Sequence, residues 1–331
     1  MRQVCKLRFA VKTSAVKRAS VLFSASIIML FHAQAYAEDA WATLQKTAIA
    51  ARSLNYSGMF IYQNGSQLRT VQIIHMNDGI NEFARSTVME GEPREVYSKG
   101  KDVVIIKPKN DKVVMEKRHG QNLFPAILPS SLDAIKVSYS ARLGTSETVS
   151  GRSTQIVYLE SKDSYRYNYK LWVDEENNLL LKMMLLNKNE TLEQVEFNQI
   201  DFLNNPKSSS VQPKIDVSKS YVVDDTTQSS HASGGNWQIS VLPPGYRKID
   251  QIEIKVPNKN VTVNQLIYSD GLAAVSLFIE PVSKGVRPKT GHLTMGSTNM
   301  CANVIAGHQI IVIGEVPATT VIEMSKAVSF K

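Results

Sequence analysis

The chain has 331 residues, with 38 Lys and Arg against 30 Asp and Glu and a formal charge of +8. Six of those basic residues fall in Met1–Arg18, which holds no acid, so the rest balances at 32 against 30, a net of +2. That remainder lacks the charge a nucleic-acid surface needs. With Cys5 in the same leading stretch and Cys301 the other cysteine, it also has no internal disulfide to form.

The first element is an export signal. After the basic start comes an apolar stretch, residues 19–31, and then the small-residue triplet Ala35-Tyr36-Ala37. A positive start, a short apolar middle and a small-x-small end are the three parts of a secretory signal peptide. The run is shorter than the roughly 20 residues of a membrane span. Cleavage is expected between Ala37 and Glu38, leaving a soluble exported chain that depends on its hydrophobic core. Composition then divides the chain. Residues 1–37 are signal peptide, 38–203 a large domain, 204–235 a linker rich in Ser, Asn, Asp, Pro and Gly, and 236–331 a small domain.

In the large domain, Trp41, Leu44, Ala48 and Ile49 recur at helical spacing. Strands follow at residues 56–63 and 67–76 around the turn Asn64-Gly65, then at 80–89, 94–97, 102–107 and 112–117. This series predicts an antiparallel meander. A short helix is expected from Ser130 or Ser131, and more strands at 155–160, 165–173, 179–186 and 192–200. From Tyr165 to Val173 aromatic and apolar residues alternate with Arg166, Asn168, Lys170 and Trp172, so one face is apolar and the other mostly polar.

In the small domain, strands are expected at 237–241, 249–256, 265–269, 273–280 and 309–314, with a hairpin turn at Asp270-Gly271. A helix starts at Pro317 and carries Val321, Met324 and Val328 on one face.

Catalytic and metal motifs are missing. There is no G-x-S-x-G, H-E-x-x-H, phosphate loop or C-x-x-C. His75, His119, His231, His292 and His308 are not spaced as metal ligands, and His75, in strand register with Val71 and Ile73, reads as structural. Asp174, Glu175 and Glu176 read as a solvated turn, and Cys301 as a small buried residue. No catalytic residue, metal or cofactor is assigned. An exported hydrolase working through separated residues stays open as an alternative.

Two surfaces are candidates for binding. Met59, Met76, Met89, Met115, Met183 and Met184 lie in or beside strands, and with Trp172 they are candidates for an apolar surface that takes an acyl chain or an apolar peptide. Gap-filling in an ordinary core is the competing reading. In the loop 283–291, Lys284, Arg287 and Lys289 form a cation cluster suited to phosphate groups or an acidic peptide, against the plainer reading of a solvated loop.

Several stretches together resemble a known family. They are Gly91-Glu92-Pro93-Arg94-Glu95-Val96, the run from Asp163 to Asp174 (DSYRYNYKLWVD), Leu192-Glu193-Gln194 and Phe197. Leu242-Pro243-Pro244-Gly245, Tyr268-Ser269-Asp270-Gly271-Leu272-Ala273, Phe278-Ile279-Glu280 and the run from Gly314 to Thr320 complete the series. In order and spacing they are similar to the RseB/MucB family, periplasmic regulators of the sigma-E envelope-stress pathway. Where that family tends to have Gly, this chain has Asn178, which tolerates a left-handed backbone.

The resemblance implies an α+β fold. The large domain would be a curved antiparallel sheet, a half-barrel covered by helices as in the lipoprotein carriers LolA and LolB. The small domain would be α+β. It implies a non-enzymatic periplasmic protein that binds the periplasmic segment of a membrane-anchored, RseA/MucA-like anti-sigma factor and shields it from proteolysis. Lipopolysaccharide or an acyl lipid would be the releasing ligand; homo-oligomerisation stays open. The partner site is expected at the groove between domains and on the small domain's exposed edge, with Tyr268, Asp270, Phe278, Glu280, Lys284, Arg287 and Lys289 as candidates. A lipid or lipoprotein carrier is the alternative function.

Overall fold

The computed structural model describes residues 39–331 apart from 92–93, 101, 110–111, 120–122, 205, 213–219, 224–229, 232–236, 256–261 and 284. The signal peptide and its cleavage site, Lys284, and much of the expected linker therefore lie outside the described residues.

Helix α1 (residues 39–53) leads into β1 (Tyr56–Asn64), β2 (Gln67–Asn77), β3 (Glu82–Val88), β4 (Arg94–Lys99), β5 (Asp102–Lys109) and β6 (Lys112–His119). A short helix, α2 (Asp133–Ser138), precedes β7 (Tyr139–Val149), β8 (Arg152–Ser161), β9 (Asn168–Asp174), β10 (Leu180–Asn187) and β11 (Glu190–Phe202). With β12 (Ser220–Val223) these strands make one 12-stranded sheet, in the order β12-β6-β5-β4-β3-β2-β1-β11-β10-β9-β8-β7. The order follows from local turn chemistry, since most neighbours in sequence pair as hairpins. The exceptions are the long-range antiparallel pairing of β1 with β11 and the parallel pairing of β12 with β6.

One face of the sheet is closed by α1 and the segment after β6. Ala40, Leu44 and Ala48, spaced one turn apart on α1, pack on Val157, Leu159, Leu171, Leu180 and Leu185. Beside them Phe124 fills the space between Phe60 and Phe197, with ring centroids 5.1 and 5.2 Å apart. His75 is buried against Tyr56, its Nδ1 2.7 Å from the Leu54 carbonyl, in the structural role expected of it.

The small domain carries β13 (Ser230–His231), β14 (Trp237–Ile239), β15 (Arg247–Lys255), β16 (Thr262–Ser269), β17 (Ala274–Pro281), β18 (Gly291–Met295), β19 (Thr298–Ile305), β20 (His308–Gly314), helix α3 (Ala318–Lys326) and β21 (Val328–Phe330). Seven of these strands form a sheet in the order β13-β15-β16-β17-β20-β19-β18, and β14 pairs with β21. On its inner face Val275, Leu277, Ile279, Val312 and Cys301 meet Val321 and Met324 of α3.

The structure departs from the sequence reading in several places. The protein is mostly β, with three α-helices among the described residues. Strands β7, β18 and β19 were not expected. Val328 leaves the helix and pairs with Ile239. The segment read as linker gives a strand to each of the two large sheets: β12, whose Tyr221-Val222-Val223 island of strand-favouring residues pairs with β6, and β13, which pairs with β15. Asp174 is not a solvated turn residue. It is 1% exposed, ion-paired with Arg152, and its Oδ1 accepts the N–H groups of Glu176 and Asn177 at 2.9 and 2.7 Å. Asn178 does take the left-handed backbone, at φ 57°.

Gly245 shows how tightly the two domains meet. Its φ is +81°, and a Cβ there would lie 2.2 Å from Ser138 Oγ and 3.0 Å from Arg166 Nη2. Gly245→Ala is therefore expected to lower stability by about 1–3 kcal/mol, combining left-handed strain with a steric clash. Chemical denaturation checks this, and an unchanged midpoint would mean the domains are not pressed together there.

Candidate functional site

The seam between the domains is a network of buried polar groups. Arg166 precedes β9 and is fully buried. Its Nε donates to Asp270 Oδ2 at 2.8 Å, and Asp270 is 0% exposed in the β16–β17 turn. The other two guanidinium nitrogens reach Asp163 and the Pro244 carbonyl. Tyr246 lies under the guanidinium, 4.9 Å from ring centroid to Cζ. Burial alone would pull the Arg166 pKa down, but the hydrogen bond and charge of Asp270 lift it above its ordinary value. Burial, and then the charge of Asp270, lift the Tyr246 phenol well above its usual range.

Asp270 also shapes its own turn. Its Oδ1 accepts the N–H groups of Leu272 and Ala273 at 3.0 and 2.9 Å. One carboxylate thus folds a hairpin turn of the small domain and holds an arginine of the large one. A second set of contacts closes the other end of the seam. Glu193 of β11 accepts from Asn64 Nδ2 at 2.9 Å and from the Ser297 hydroxyl in the β18–β19 turn. Asn299 Nδ2 donates to Tyr167 Oη at 3.0 Å, and Thr320 Oγ1 to the Tyr165 carbonyl at 2.7 Å.

Next to the seam lies the outer face of the small domain's sheet. Strand alternation puts Phe278 there, between Gln265 and Ile311, while Leu277 and Ile279 point to the core. One register step away, Ile267, Ser276, Ile313, Met300 and Leu293 form a second row across five strands. Helix α3 lies on the opposite face, so these apolar side chains stay half-buried or exposed. Leu293 and Met295 are 49% and 64% exposed. The basic loop bounds the far end. Gln309 pins Lys289 in both directions, its Oε1 accepting the backbone N–H at 2.8 Å and its Nε2 donating to the carbonyl at 2.7 Å. A partly exposed apolar strip beside a basic loop is a candidate site for another molecule.

The comparisons with known proteins fit this architecture. A family model of the MucB/RseB N-terminal domain matches residues 39–215, and one of the MucB/RseB C-terminal domain matches residues 231–329. The chain belongs to the MucB/RseB family. It is a family of regulators, not of enzymes, and the hydrolase alternative falls with that. The sigma-E factor regulatory protein RseB of Haemophilus influenzae is 24% identical, over 96% of this chain and 100% of its own length. The sigma factor AlgU regulatory protein MucB of Pseudomonas aeruginosa is 27% identical, over 86% of this chain and 89% of its own. In the solved complex of Pseudomonas aeruginosa MucA/MucB, the similar chain has a TM-score of 0.72 at 23% identity, covering 88% of this chain and 99% of that one. At that identity the likeness speaks for the fold.

Within this MucB/RseB fold the residues singled out from sequence separate into two groups. Phe278 and Glu280 share the outer face of β17, the Lys289 backbone is held at its rim by Gln309, and Arg287 is exposed in the same loop. Tyr268 and Asp270 do not. They are 3% and 0% exposed, Tyr268 in the core and Asp270 in the seam, so neither presents a surface. Burial pushes the Tyr268 phenol up to about 12. Lys284 lies outside the described residues.

The candidate methionines do not form one surface. Met183 and Met184 are neighbours on β10 and both pack, half-buried, against the core cluster that contains Trp172 and Phe197. Met76 is 5% exposed and Met89 54%. Met59 is half-buried beside the exposed Ile61, and the Met115 side chain is outside the described residues. Trp172 is 1% exposed, roofed by Lys170 and Lys182 at 4.4 and 5.0 Å from its ring centroid, and its Nε1 donates to Glu147 at 2.7 Å. Sequence reasoning missed Ile311, Ile313, Met300, Leu293 and Met295. Ile310 to Ile313 is a continuous apolar run, so the sequence alone could not tell its outer-face residues from its core ones, and only the His-Leu-Thr-Met alternation hinted at Leu293 and Met295.

Proposed function

We propose that this protein works in the periplasm and binds the periplasmic segment of a membrane-anchored anti-sigma factor of the MucA/RseA kind. Holding that segment against the small domain keeps it from the protease that starts a sigma-E-type response. The observation that carries the reading is the partly exposed apolar outer face with the basic loop beside it, in a chain whose family includes a solved MucB–MucA complex. A protease needs an extended, accessible substrate. A segment that orders on a partner is removed from its reach, and the entropy of ordering keeps the complex reversible. Among the described residues no helix is long and apolar enough to cross a membrane.

The test is binding of the protein lacking residues 1–37 to its cognate anti-sigma segment, read by fluorescence anisotropy, together with protection of that segment from the site-one protease. No binding at micromolar concentration would sink the proposal. Arg287→Glu with Lys289→Glu is expected to weaken binding about tenfold at low salt and less at high salt, as rim charges do. Both side chains are exposed, so folding should not change.

A further inference from the structure

The small domain's sheet ends in an open edge. Among the described residues β18 pairs with β19 alone, and each residue of Gly291–Met295 is exposed. A free edge presents a row of N–H and C=O groups that another extended chain completes, and proteins guard such edges with charges, proline or a bulge. β18 has none of these. Its sequence is Gly-His-Leu-Thr-Met, and its register with β19 runs without a shift.

The register also says which backbone groups are free. The two-residue turn Gly296-Ser297 closes the hairpin on the pair Met295–Thr298. The closing pair of such a turn is a hydrogen-bonded pair, and pairs then alternate along the ladder. Gly291, Leu293 and Met295 therefore direct their backbone groups to β19, while His292 and Thr294 turn theirs outward. The side chains divide the other way. His292 Nε2 and Thr294 Oγ1 lie 2.9 and 2.7 Å from Asn299 Oδ1 on the inner side. Leu293 shares its row with Met300 on the outer face. The edge is thus continuous with the apolar strip, and the chain enters it from Arg287 and Lys289.

We infer that β18 is a docking edge for an extended segment of the partner, acidic and apolar in composition, which joins the small domain's sheet as a further strand. This rests on the partner-binding reading above. Every second side chain of the added strand lies beside Leu293 and Met295, and its acids meet the rim cations. Charge argues against a second copy of this chain as occupant. Residues 204–331 hold 12 basic and 9 acidic residues, a net of +3, so two such domains repel where an acidic segment is attracted.

The decisive variant is Thr294→Pro. It removes an outward N–H that β19 does not use, and proline is tolerated at such edge positions. Thr294→Val is the control, because it loses the hydrogen bond to Asn299 and keeps the N–H. Thr294→Pro should weaken binding of the cognate anti-sigma segment about tenfold or more, with Thr294→Val near wild type. The matching probe is that segment with backbone N-methyl groups on alternate residues, which should lose binding in one phase of methylation and keep it in the other. This second measurement decides the matter if Thr294→Pro disturbs the fold. If the segment binds Thr294→Pro as it binds wild type, and both methylated forms bind alike, the edge is not the dock. If the variant changes self-association in sedimentation and leaves segment affinity alone, the edge pairs copies and the inference is overturned. A segment that fails to bind the wild-type protein instead removes the proposed function itself.

Discussion

Asp270→Ala is expected to cost about 3 kcal/mol, read as a fall in the urea midpoint of the small domain's unfolding. Asp270 and Arg166 are both 0% exposed, so the substitution leaves a guanidinium in the interior without its deepest partner. Asp163 still holds one edge of it, but Asp163 is 24% exposed and its attraction is partly screened. The β16–β17 turn loses the acceptor for two of its N–H groups at the same time. Asp270→Asn, which keeps an acceptor for the turn and drops the charge, should fall between wild type and alanine. A buried pair is often replaceable by apolar residues of similar volume. Arg166→Met with Asp270→Leu should therefore recover part of the loss. If Asp270→Ala lowers the unfolding free energy by less than about 0.5 kcal/mol, the domains are not held by this pair.

The seam also explains which parts of the molecule could be read from the sequence. Hairpins were legible because their signals are local. Asn64-Gly65 and Asp270-Gly271 mark turns whatever the rest of the chain does. The strand after Asp163 was read as starting at Tyr165, but β9 starts at Asn168. The residues before it are drawn out of the ladder by contacts to the small domain, including one between residues 104 apart in sequence. No periodicity encodes a partner at that separation. The resemblance did carry this information without displaying it. The runs from Asp163 to Tyr167, Pro244-Gly245, Asp270-Gly271 and the segment up to Thr320 all converge on the seam. Residues that looked like a scattered motif are one interface seen along the chain. The hairpin of β18 and β19 was missed for the opposite reason. His292-Leu293-Thr294-Met295 does alternate polar with apolar residues, but the run is only four residues long and follows a glycine, and Gly296-Ser297 marked the turn. The apolar face was half legible: Phe278 was singled out, but Ile311 and Ile313 were read as ordinary strand interior.

Phe278→Ala is expected to weaken binding of the anti-sigma segment about 30-fold or more, the loss typical of a central aromatic contact. Its cost to folding should stay near 1 kcal/mol, because the ring is only half-buried and lies on the face opposite the core cluster that α3 joins. The adjacent residue supplies the control. Leu277 is 0% exposed and faces α3, so Leu277→Ala should cost about 2–5 kcal/mol of stability. Because its side chain never reaches the outer face, the folded fraction should bind with wild-type affinity. The two substitutions sit one residue apart and remove similar apolar volume. Only the alternation of β17 separates them, so a purely structural role for the outer face predicts parallel losses in both assays. Crossed losses, stability for Leu277 and affinity for Phe278, require that the face is used by a partner. Equal losses of affinity at both positions, corrected for the folded fraction, would return the outer face to the status of ordinary surface.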